Sequence, residues 1–158
     1  MSGLEDLLRI PAISVILGGL ITLAGQYFLK NREQHEKNRE LLRKKLEMIY
    51  KVTLDYEEWL CKHDIQSNKP EPNKELSMLI TLYATELRPY VPELNKLTYN
   101  RAMKVKVYSD TVFSGTIVTK DEVEKLKKEV EGAELEIAQF LYKLREGIES
   151  LAKSRLVV

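Results

Sequence analysis

Between Arg9 and Lys30 the chain carries no charged side chain, although 31% of its 158 residues are Asp, Glu, Lys or Arg. As a helix, residues 10–29 measure about 30 Å at 1.5 Å per residue, which is the thickness of a bilayer's hydrocarbon layer. A small domain seldom buries a helix that is apolar around its whole circumference. A cleaved secretory leader fits less well, because Glu5 and Asp6 stand where a basic cluster belongs and no small-x-small site follows. Pro11 is tolerated in a first turn, and Tyr27 and Phe28 fall where aromatic rings favour the membrane interface. The pattern predicts a single transmembrane helix over residues 10–29, preceded by a short segment, 1–9.

The charges beyond Leu29 orient that helix. Lys30, Arg32, Lys37, Arg39, Arg43, Lys44 and Lys45 outnumber Glu33, Glu36 and Glu40, against Arg9 alone on the other side. Basic residues close to a span stay on the cytoplasmic side. The expected placement is the inner (plasma) membrane, with the N-terminus outside and the C-terminal domain in the cytoplasm. Lys30, Arg32, Lys37 and Arg39 are the expected contacts to lipid headgroups, each favoured by about 1 kcal/mol close to an anionic surface. Within the span, Ser14, Gly18 and Thr22 recur every four residues, with Gly25 and Gln26 alongside. Such a small-residue face admits a second helix closely, so self-association through these five residues is expected.

Residues 30–40, "KNREQHEKNRE", contain nothing apolar and neither Pro nor Gly. Arg32–Glu36 and Glu33–Lys37 are spaced to pair on a helix, which predicts a solvated helical neck. From there to the C-terminus, residues 41–158, the expectation is an all-α domain. Leu42, Leu46, Ile49, Thr53, Tyr56 and Leu60 alternate spacings of four and three and define one buried face. "HDIQSNKPEPN", residues 63–73, is a turn. Asn73 is the expected N-cap of a second helix with the stripe Leu76, Leu79, Ile80, Tyr83 and Leu87.

Pro89 and Pro92 in "ELRPYVPEL" predict a kink or short break, Pro92 suiting a fresh first turn. Leu94, Leu97, Ala102, Val105, Tyr108 and Val112 continue at helical spacing. The β-branched stretch 105–118 admits a hairpin as the rival, but an isolated hairpin is marginal in water and helix is preferred. Thr119 and Glu122 form a capping box, with Val118 and Val123 as its staple. Val123, Leu126, Val130, Ala133, Ile137, Phe140, Leu141, Leu144, Ile148 and Leu151 then repeat at three and four. A final helix of about 50 Å needs long partners, which predicts an antiparallel three-helix, coiled-coil-like bundle.

Function is less legible than architecture. No phosphate-binding glycine loop, nucleophile elbow, dinucleotide fingerprint or HExxH occurs, so enzymes built on them are excluded. No catalytic residue, metal site or cofactor is expected. Cys61, His63 and Asp64 in "CKHD" lack the second ligand pair a tetrahedral site needs. His35 reads as a surface residue, and the tyrosines with Trp59 as edges of a slender bundle. A net charge of +1 gives no reason to expect nucleic acid. One span before a charged helical domain resembles subunit b of ATP synthases in outline. Pro70, Pro72, Pro89 and Pro92 preclude that family's uninterrupted stalk, and its Ala-rich stripe is absent. The expected role is a membrane-anchored adaptor or scaffold for a cytoplasmic partner or for its own copies. The alternative is a membrane-active oligomer that opens or disrupts the bilayer.

Overall fold

The structure is a computed structural model that describes the backbone of residues 11–62, 70–113 and 118–156, and side chains from residue 18 to 155 within those spans. Four α-helices and one 3-10 turn account for nearly all of it, and no strand occurs among the described residues. They are α1, Pro11–Lys62; α2, Asn73–Tyr83; the turn Thr85–Leu87; α3, Tyr90–Phe113; and α4, Lys120–Leu156. The chain divides into two compact units, Met1–Leu41 and Leu42–Val158. The all-α expectation holds. Helix α3 continues to Phe113, so residues 105–113 are helical rather than one arm of a hairpin, while residues 114–117 lie outside the described residues.

In Leu42–Val158 the periodic apolar residues become the core. Leu46, Ile49, Tyr56 and Leu60 of α1 join Leu76, Leu79 and Ile80 of α2, Leu94 of α3, and Ile137, Phe140, Leu141, Leu144 and Ile148 of α4 in one cluster. The α4 stripe is buried from Val130 to Leu151, while Val123 and Leu126 are only half-buried. The capping box forms as its spacing predicts. Glu122 Oε2 accepts from the Thr119 N–H at 3.0 Å and from the Thr119 hydroxyl at 2.9 Å, and Thr119 Oγ1 accepts from the Glu122 N–H at 3.3 Å. Its bond to the Thr119 N–H, then the hydroxyl, holds the Glu122 carboxyl below the ordinary carboxylate value.

The expected three-helix bundle is corrected to four helices. Asn73 Nδ2 donates to Thr98 Oγ1 at 3.2 Å and Ser77 Oγ to Asn95 Oδ1 at 3.4 Å, so numbering falls along α3 as it rises along α2. These two helices are therefore antiparallel neighbours, and residues 84–89 reverse the chain instead of kinking it. The cause is local. Ala84 leaves helical geometry at φ −136° and ψ 73°, and Pro89 brings no N–H. Arg88 donates to the Thr81 carbonyl through Nε at 3.2 Å and Nη2 at 2.8 Å, satisfying an acceptor the ended helix leaves open. Pro92 then falls in the first turn of α3, where a missing donor costs nothing. The Asn73 cap is also corrected, because its side chain reaches across to Thr98 and makes no cap bond.

Falling-number pairs recur elsewhere in this unit. Lys45 Nζ lies 4.0 Å from the centroid of the Tyr83 ring and Tyr56 donates to Glu71, which aligns α1 antiparallel to α2. Glu57 pairs with Arg145, aligning α1 with α4, and Arg101 pairs with Glu134, aligning α3 with α4. The topology is up-down-up-down. Helices α3 and α4 come close where Gly147 lies beside α3: a Cβ built there would stand 3.2 Å from Tyr90 Oη. Among the described residues, only these two helices continue beyond Arg101 on α3 and before Glu134 on α4. Ala102 and Val112, expected in the stripe, are accordingly exposed.

Candidate interaction surfaces

Side chains of the uncharged run are described from Gly18 onward, and they point into open space. Leu20, Ile21, Leu23, Tyr27, Phe28 and Leu29 are between 58% and 75% exposed. Thr22 Oγ1 donates to the Gly18 carbonyl at 2.8 Å, so this hydroxyl is satisfied inside its own helix without water. A Cβ built on Gly18, Gly19 or Gly25 meets nothing within 4 Å. Gly18, Thr22, Gly25 and Gln26 thus share one exposed side of α1, while the side chain of Ser14 lies outside the described residues. Among the described residues no helix is long and apolar enough to cross a membrane. Residues 10–17, the first part of the expected span, have no described side chains.

Lys30, Arg32, Lys37 and Arg39 are all exposed on α1. Arg32 pairs with Glu36 at 3.3 Å, both more than half exposed, one of the two neck pairs the spacing suggests. At that exposure the pair adds only a few tenths of a kcal/mol. Net positive charge and ready access coincide on this stretch.

In Leu42–Val158 the structure shows a surface that sequence periodicity did not single out. A groove of about 400 Å³ runs between α1 and α4, floored by Leu46, Tyr50, Leu54, Ile148 and Ala152. Lys51 and Glu149 flank it, one from each helix. Leu54 keeps 45% exposure, and Tyr142 and Leu135 of α4 keep 58% and 60%. The available signal was a second apolar row on α1, Tyr50 and Leu54, four residues apart and one step away from the core stripe.

Arg101 and Glu134 form a largely buried, matched charge pair. Arg101, 5% exposed, donates to Glu134 Oε1 through Nε at 3.0 Å and Nη2 at 2.8 Å. Its guanidinium carbon lies 4.7 Å from the Trp59 ring centroid, and Trp59 packs edge-on to Tyr56 at 6.0 Å. Burial, and then the bond to Glu71, pushes the Tyr56 phenol well above its ordinary value. These groups join helices. No cluster of three or more His, Cys, Asp or Glu residues able to hold a metal occurs among the described residues. Cys61 is exposed, and His63 and Asp64 lie outside the described residues. Compared with protein-family models, curated proteins and solved structures, the chain matches none.

Proposed function

We propose that the chain is a single-pass, membrane-anchored helical adaptor. Residues 10–29 lie in the bilayer, the N-terminus is outside, and the helical unit in the cytoplasm holds a protein partner or further copies of the chain. One observation carries the reading. The large apolar side chains from Leu20 to Leu29 are exposed on successive faces of α1, including 71% of Ile21 and 75% of Phe28. Exposed apolar area of that extent costs roughly 25 cal/mol per Å² in water, and lipid tails remove the cost. The unbroken absence of charge from residue 10 to 29 supplies the length, and Lys30, Arg32, Lys37 and Arg39 supply the headgroup contacts. Four packed helices whose buried charges pair with one another, as Arg101 does with Glu134, suit holding a partner.

Alkaline extraction of membranes from cells making the full chain tests the anchor. The wild-type chain is expected in the pellet, and Leu23→Arg, which adds about 3 kcal/mol to insertion, is expected to move a large fraction to the supernatant. A wild-type chain that washes off sinks the reading. Reporters fused at either end give the orientation.

A further inference from the structure

The groove between α1 and α4 has the complementarity a second copy needs. Glu57–Arg145 fixes the register of the two helices, with numbers falling along α4 as they rise along α1. Lys51 is therefore about level with Glu149, and Glu47 about level with Lys153. All four are exposed, and each level carries one charge of each sign, α1 opposite to α4. Beyond the level of Lys51 and Glu149 lie the partly exposed Leu54, Tyr142 and Leu135.

We propose that this face is the contact between two copies of the chain, related by a two-fold axis running along the groove. Such an axis keeps like residues at like level and lays α1 of each copy on α4 of the other. Lys51 of one copy then faces Glu149 of its partner, Glu47 faces Lys153, and Leu54 enters the partner's groove. An axis that instead set α1 against α1 would oppose Lys51 to Lys51 and Glu47 to Glu47. The inference rests on the anchored-adaptor reading, in which copies inserted the same way in one bilayer present their helical units on the same side of it.

The test uses the full chain with Cys61→Ser, one tagged population carrying K51C and a differently tagged one carrying E149C. The two are reconstituted together in phosphatidylcholine–phosphatidylglycerol vesicles and oxidised. Mixed K51C–E149C dimers are expected in at least tenfold excess over K51C–K51C dimers. In the chain without these cysteines, K51E is expected to lower the dimer fraction at least tenfold and K51E/E149K to restore it. Lys51 and Glu149 are exposed, so these changes leave the core intact. Absence of cross-links, like-with-like cross-links, or a dimer indifferent to K51E overturns the proposal. Alkaline extraction of the same vesicles separates the two ideas: a chain that stays inserted yet fails to cross-link overturns only the contact. Should the chain wash off, the anchor fails, and the same cross-linking in solution decides the contact.

Discussion

Helix α1 passes through two different surroundings. In residues 18–40 every described side chain is exposed, whereas in residues 42–62 Leu46, Ile49, Val52, Thr53, Tyr56 and Leu60 are buried. Both stretches are helical, for different reasons. The second is held by an apolar stripe packed on three other helices, the usual source of helix stability in a folded domain. Among the described residues the first has local support alone: good helix formers over residues 30–40, the Arg32–Glu36 pair and a Thr22 hydroxyl returned to its own backbone. Among the described residues this stretch has no packing partner, yet it carries Leu, Ile, Tyr and Phe on successive faces, and the proposed anchor would cover them with lipid tails.

The sharpest break of that comparison is a pair of truncations. Leu141→Ala, at a residue with no exposed surface, is expected to destabilise the helical unit by about 3 kcal/mol, whereas Leu23→Ala leaves its unfolding midpoint unchanged. Urea denaturation of the full chain in detergent, followed by Trp59 fluorescence, reads both. Equal effects would erase the distinction between the two stretches. Next in size is the buried pair: Glu134→Leu strands Arg101 and is expected to cost about 3 kcal/mol, and Arg101→Met added to it recovers most of the loss.

A smaller effect tests the start of α4. Thr119→Ala removes the hydroxyl side of the capping box, both its bond to the Glu122 carboxylate and the one it accepts from the Glu122 N–H, while the backbone N–H of residue 119 still donates to Glu122; the change is expected to cost about 1 kcal/mol at neutral pH. The Glu122 carboxyl has its pKa depressed in the folded chain. Its stabilisation is thus complete above the unfolded value of about 4.3 and fades as pH falls through the folded one. The gap between wild type and Thr119→Ala is expected to narrow on acidification, as melting at pH 7 and at successively lower pH would show. The smallest effect sharpens the picture of close approach. A Cβ on Gly132 meets nothing, so Gly132→Ala is expected to stabilise by about 0.8 kcal/mol. Gly147→Ala meets the Tyr90 hydroxyl at 3.2 Å and falls short of that gain in the same melting series.

The stripes of α1 from Leu46 to Leu60 and of α4 from Val130 to Leu151 were legible because each buries one face over four turns or more, so a period of 3.6 shows through the charges. The capping box was legible because its bonds lie within four residues. The reversal at residues 84–89 was not. Two prolines announce that a helix stops, but the direction in which the chain resumes depends on Ala84, on Arg88 closing over Thr81, and on the cross-helix bonds of Asn73 and Ser77. Tyr83 shows the same limit. It keeps the spacing of the α2 stripe yet is 38% exposed, its ring beneath Lys45 from another helix. The groove also escaped the sequence, since it exists only where Tyr50 and Leu54 come beside Ile148 and Ala152, about a hundred residues away.

Arg101 has consequences for alignment as well as for energy. A coiled surface of leucines tolerates sliding by one turn, because another leucine arrives where the last one left. A guanidinium in a dry interior does not, since moving α4 by four residues along α3 would withdraw Glu134 and bring Val130 or Ala138 against the positive charge. One ion pair thereby acts as an index mark, letting two otherwise repetitive helices settle at a single offset.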